Sequence, residues 1–211
     1  DSGASYVMFG KASGFVAQFD LSTLDGSNGF RLDGAAIVDW SGRAVSNAGD
    51  INGDGFDDLI IGAKGADPGG SDSGASYVMF GKASGFVSQL DLSTLDGSNG
   101  FRLDGVAADD RSGRSVSDAG DVNGDGFDDL IVGAYRADPG GTDSGAGYVV
   151  FGKANGFVAQ FDLSTLDGSN GFRLDGAAAA DYGGSVSSAG DINGDGFDDL
   201  IIGSYRADPA G

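Results

Sequence analysis

The sequence predicts an all-β protein, a β-propeller of four-stranded antiparallel blades. Three observations predict it. The chain repeats itself three times at a fixed step: Asp1-Ser-Gly-Ala recurs at Asp72 and Asp143, and Asp50-Ile-Asn-Gly-Asp recurs at Asp121 and Asp191, with steps of 71 or 70 residues. Each repeat carries about four short runs rich in Val, Ile, Phe and Tyr, bounded by Gly, Asp and Ser turn formers. Some of these runs, such as Tyr6-Val7-Met8-Phe9 and Leu59-Ile60-Ile61, are apolar on both faces. A surface sheet alternates apolar with polar residues, so an antiparallel sheet without alternation is covered on both sides. Sheets stacked around a common axis provide that cover. A β-sandwich needs no such repeat, and a β-solenoid coil has a shorter period.

The repeats are 1–71, 72–142 and 143–211. The first two match at 58 of 71 positions. In the first repeat the expected strands are Ser5–Phe9, Gly29–Asp33, Arg43–Ser46 and Asp58–Ile61. The stretch Phe15–Leu24 lacks a sustained helical period and reads as an ordered loop or a single turn.

Composition narrows the chemistry. Lys and Arg number 12 and Asp and Glu 32, giving a net charge of −20. Such a surface repels nucleic acid and anionic lipid and suits cations. No run approaches the ~20 apolar residues of a membrane helix. With no His and no Cys, the chain lacks disulfides, thiolate nucleophiles, zinc sites of the usual kind and Ser-His-Asp triads. No nucleophile elbow or phosphate loop is present. The expectation is a non-enzyme.

One motif carries chemistry. Asp50, Asn52, Asp54 and Asp58 place oxygen side chains at positions 1, 3, 5 and 9 of a Gly-rich loop, with the Phe56 carbonyl at position 7. The second copy offers Asp121, Asn123, Asp125, Phe127 and Asp129, and the third Asp191, Asn193, Asp195, Phe197 and Asp199. Alternate positions in a tight loop can turn inward together, and the intervening glycines permit the curl. An all-oxygen set with three carboxylates suits a hard cation, Ca²⁺ better than Mg²⁺. One Ca²⁺ per repeat, three per chain, is expected. An EF-hand is excluded because position 12 is Ile61, Val132 or Ile202 rather than Glu. A merely solvated Asp/Gly turn would not need the same oxygens in every copy.

The run Gly49–Ala63, followed by Tyr77–Gly81, resembles the FG-GAP repeat of integrin α-subunit propellers and related bacterial surface proteins. Phe-Gly is kept at Phe9-Gly10, Phe80-Gly81 and Phe151-Gly152. Gly-Ala-Pro is not: Gly62-Ala63-Lys64, Gly133-Ala134-Tyr135 and Gly203-Ser204-Tyr205 stand there. The resemblance implies an extracellular or cell-surface adhesion module, seven blades to a ring, and a calcium loop between the first and second strands of each blade. Asn at position 3, where the family often has Asp, removes one charge and weakens the site. The resemblance also implies that partners bind the face opposite the calcium loops. There the repeats differ, at Trp40, Arg111 and Tyr182 and at Lys64-Gly65, Tyr135-Arg136 and Tyr205-Arg206. A protein or glycan is the expected ligand. The family's repeats also accompany a phospholipase, which leaves a non-catalytic part of a hydrolase as an alternative.

The chain opens inside a repeat and reads as an excised or engineered segment. By analogy it carries two whole blades and two halves. The halves are complementary, so two copies are expected to close a six-bladed homodimeric ring.

Overall fold

The computed structural model describes residues 1–154 and 156–208; the last residues of the third repeat, 209–211, lie outside them. Among the described residues fourteen strands run in chain order: β1 Ala4–Met8, β2 Gly29–Asp33, β3 Ala44–Gly49, β4 Asp58–Ala63, β5 Ala75–Met79, β6 Gln89–Asp91, β7 Gly100–Asp104, β8 Ser112–Gly120, β9 Asp129–Ala134, β10 Ala146–Val150, β11 Gln160–Asp162, β12 Gly171–Asp175, β13 Gly183–Gly190 and β14 Asp199–Ser204. The protein is a β-propeller array. Blade order is β3-β4-β5-β7 and β8-β9-β10-β12, each antiparallel throughout. Two half-blades flank them, β1-β2 on one side and β13-β14 on the other. The blades straddle the repeat boundaries: β3 and β4 come from the first repeat, β5 and β7 from the second. Among the described residues no helix is long and apolar enough to cross a membrane.

Both faces of each inner strand are buried, which explains the unbroken apolar runs. Ile60 packs into the core shared with the following blade, against Leu130, Val132 and Tyr148. Its neighbour Ile61 packs the other way, against Phe30 and Leu32 of the first half-blade. Adjacent blades approach closely enough that a Cβ on Gly62 would stand 2.0 Å from the Gly113 carbonyl oxygen, so the Gly of the Gly-Ala pair is required by backbone contact.

The stretch at 15–24 and its copies holds more than a turn. Leu21–Thr23, Leu92–Thr94 and Leu163–Thr165 form single 3-10 turns, each opened by an Asp whose carboxylate accepts the N–H two residues on. Just before two of these turns, β6 and β11 each add a parallel strand to the outer strand of the preceding blade, Leu90 opposite Leu32 and Phe161 opposite Leu103. The same segment lays Phe86 on Phe30 (4.9 Å, 12°) and Phe157 on Phe101 (4.3 Å, 1°). The second and third repeats therefore each clasp the blade before them. Three-residue strands carry no readable period, and their partners lie in another repeat, so periodicity could not have found them.

Phe101 is fully buried. Phe101→Ala is expected to cost about 3–5 kcal/mol through lost burial and the cavity left behind. Urea unfolding at matched protein concentration measures it; a loss under about 1 kcal/mol would mean the clasp does not hold the blades.

Candidate metal centre

The acidic loops are the hairpin tips between the first two strands of a blade. β3 runs into the loop and β4 runs out of it, and the same holds for β8 with β9 and β13 with β14. A six-residue strand spans about 17 Å, so the loops lie far from residues 40–43 and 64–65 at the other end.

Within each loop the oxygens are held by the backbone. Asp50 accepts the N–H of Asp54 (2.9 Å) and of Gly55 (2.9 Å), and Asn52 Oδ1 accepts that of Asp54 (2.9 Å). Asp54 Oδ1 accepts the Phe56 N–H at 3.0 Å. Asp121 and Asp191 repeat the pattern with the N–H groups of Gly126 and Gly196. These bonds, led by that from Gly196, hold the Asp191 carboxyl below its ordinary range. Position 9 lies deeper. Asp58 and Asp129 are fully buried and accept the N–H of Gly81 (2.8 Å) and Gly152 (2.9 Å). Burial pushes both carboxyls up to about 7, and the neighbouring loop carboxylates add to it: Asp54 and Asp50 for the first, Asp125 and Asp121 for the second. Asp199 accepts the Ile192 N–H at 2.9 Å.

Among the described residues the acidic groups do not converge into a ready-made cage of three or more; the loop oxygens face N–H donors instead. The donor set nonetheless fits a hard cation. It is all oxygen, and it is crowded with like charge, Asp54 and Asp50 standing near the buried Asp58, and Asp125 and Asp121 near the buried Asp129. A cation would relieve that repulsion.

The structure adds a role that the motif concealed. Position 8, absent from the expected ligand set, ties neighbouring loops together. Asp128 Oδ2 accepts the Asp50 N–H at 2.7 Å, and Asp198 Oδ2 accepts the Asp121 N–H at 2.9 Å. The Phe at position 7 packs its ring against the neighbouring loop. Gly53 has φ 71, and a Cβ there would stand 2.3 Å from the Phe127 ring of the next blade. The signal for both was identity across the three copies, which a ligand role alone did not account for at position 8.

The variable residues gather at the opposite end. Lys64 Nζ lies 4.2 Å from the Trp40 ring centroid, and Tyr182 stands between Tyr135 (6.1 Å) and Tyr205 (5.6 Å).

Comparison with known proteins agrees with this architecture. A family model described as the FG-GAP repeat matches residues 41–79, 113–150 and 182–211. The chain is 32% identical to integrin alpha-4 of Xenopus laevis over 184 residues, 86% of this chain and 16% of that protein. It is 31% identical to integrin alpha-V of Gallus gallus over 188 residues, 87% of this chain and 16% of the relative. It is 30% identical to a phosphatidylinositol-glycan-specific phospholipase D of Dictyostelium discoideum over 192 residues, 85% of this chain and 19% of the relative. The chain thus spans less than a fifth of each of these proteins.

Proposed function

Because the chain belongs to the FG-GAP repeat family, we propose that it is a calcium-binding β-propeller module that works outside the cell in adhesion or protein interaction. The observation that carries the reading is the acidic loop, built three times in register with the same oxygen side chains at positions 1, 3, 5 and 9. In that copy Asp50, Asn52, Asp54, the Phe56 carbonyl and Asp58 would hold the ion, and their counterparts at 121–129 and 191–199 would hold the others. Bound calcium supplies charge neutralisation, taking the chain from −20 to −20 + 6 = −14. The loop N–H bonds and the links through Asp128 and Asp198 keep each hairpin tip in place for it.

The module is read as non-catalytic. One relative is named as a phospholipase, but this chain covers 19% of it and has no His or Cys to serve as acid, base or nucleophile. The relatives named as integrins and the variable end of the blades support an interaction role, with a protein or glycan ligand at that end. The module closes into a ring by pairing with a second copy of itself.

Titration calorimetry of chelator-treated protein tests the metal assignment. Three calcium ions per chain are expected for the parent sequence and two for Asp54→Ala. A stoichiometry that Asp54→Ala leaves unchanged places the ions elsewhere and overturns the reading.

A further inference from the structure

The 12 basic side chains divide into two sets. Six serve the blades. Lys11, Lys82 and Lys153 lie over the rings of Phe15, Phe86 and Phe157 at 4.9–5.3 Å, and Arg31, Arg102 and Arg173 pair with Asp33, Asp104 and Asp175. The other six are Arg43, Lys64, Arg111, Arg114, Arg136 and Arg206. They belong to the end of the array opposite the acidic loops, where β3 and β8 begin and β4, β9 and β14 finish.

No one of these positions is basic in all three repeats: Gly42-Arg43 and Gly113-Arg114 become Gly184-Ser185 in the third, and Gly65 stands where Arg136 and Arg206 are. Trp40, Arg111 and Tyr182 occupy one equivalent position, and Lys64, Tyr135 and Tyr205 another. The acidic loop, by contrast, keeps its ligand residues in every copy. Nor does the cluster neutralise itself. Arg111 pairs with Asp72 at 3.1 Å and Arg136 approaches Asp143 at 3.9 Å, but Arg43 and Arg114 enter none of the ion pairs among the described residues. The Nε atoms of Arg111 and Arg136 are buried without an acceptor. Burial, and then the charges of Arg111, Arg114 and Arg43, depress the proton affinity of Lys64.

The same end holds a cleft of ≈ 550 Å³ lined by Arg43, Arg114, Tyr135, Tyr182 and Tyr205. Arg206 stacks over Tyr182 at 4.8 Å. Arg114 and Arg136 lie 6.0 and 5.7 Å from the Tyr135 ring centroid. Five of the six cations are Arg, whose planar fork takes a carboxylate with two parallel hydrogen bonds. Tyr walls supply rigid area for side chains between the acidic ones. Carboxylates such as Asp72 and Asp143 surround the cleft, but none lines it, so on a chain of net charge −20 the sign reverses within the cleft itself, which selects both the partner and its orientation.

We infer that this arginine- and tyrosine-lined cleft binds an acidic polypeptide segment of a partner protein, its carboxylates on Arg43 and Arg114 and its intervening side chains against the tyrosines. The inference deepens the interaction role proposed above and rests on it.

Fluorescence anisotropy of the calcium-loaded 211-residue chain with a fluorescein-labelled octaglutamate peptide tests it. Binding is expected, weakening about tenfold or more in an Arg43→Ala/Arg114→Ala double variant and in Tyr135→Ala. Lys82→Ala, next to the acidic loops, is expected to leave it unchanged. No binding overturns the inference. So does an equal loss with Lys82→Ala, which would mark a diffuse charge effect, or tighter binding of a sulfated oligosaccharide than of the peptide, which would assign the cleft to glycans. The calcium count is read separately: three ions without peptide binding refute the cleft and leave the module reading standing.

Discussion

Light scattering of the calcium-loaded chain is expected to give a mass of about 42 kDa, twice its 21.0 kDa. The complete blades show what the half-blades lack. In β4 and β5, Leu59 stands opposite Met79, Ile61 opposite Tyr77 and Ala63 opposite Ala75; β9 and β10 repeat the register. Transposed to the free edges, Leu200 of one copy faces Met8 of the other, Ile202 faces Tyr6 and Ser204 faces Ala4. The side chains that such pairing would cover are now open. Ile201 is 58% exposed where its counterparts Ile60 and Ile131 are at 0%, and Tyr6 is 46% exposed where Tyr77 is at 3%. Further contacts follow from the same template. In the dimer Phe15 of one copy would lie on Phe172 of the other as Phe86 lies on Phe30, and Asp57 would accept the other copy's Asp191 N–H as Asp128 accepts that of Asp50. Formed twice by a two-fold axis, these contacts complete six blades, within the closable range. Ile201→Asp places a charge at the seam and is expected to return the mass to 21.0 kDa with the strand circular dichroism kept. A parent chain that stays monomeric in calcium, or grows without limit with concentration, would falsify ring closure.

Chelation of calcium is expected to lower the melting temperature by about 10 °C. Sites of Kd ~10⁻⁴ M are of the kind that extracellular modules use. At about 1 mM calcium each such site contributes about 1.4 kcal/mol by linkage, or about 4 kcal/mol for three. A chain of this size moves about 2–4 °C per kcal/mol. The physical origin is the crowding at the hairpin tips, where Asp58 and Asp129 are buried beside the other loop carboxylates. Calorimetric scans with calcium and with excess chelator measure the shift. Identical melts under both conditions would mean that the loops hold their shape through N–H bonds alone.

The architecture was legible because repetition did the work of an alignment. A period of 71 residues, strands apolar on both faces and the invariant acidic loop are properties of the linear text. The clasp was not legible, since Gln89–Asp91 and Gln160–Asp162 pair with strands of the preceding repeat, and nothing local distinguishes them from loop. Expected strand limits such as Arg43–Ser46 fell short of Ala44–Gly49 because the strand continues through small and polar residues on its way to the loop. At the metal centre the ligand positions could be read, but Asp128 and Asp198 looked like two more acidic turn residues until their bonds across blades were seen. The basic cleft was hidden by a net charge that averages over the whole surface.

The clasp also bears on how such an array lengthens. Every repeat carries the strap for the blade behind it and the bed for the strap of the repeat ahead, so a tandem copying of 71 residues delivers both halves of a fitted joint at once. New blades can be spliced in by duplication with no fresh interface to invent, and near-identical neighbours are what such growth leaves behind.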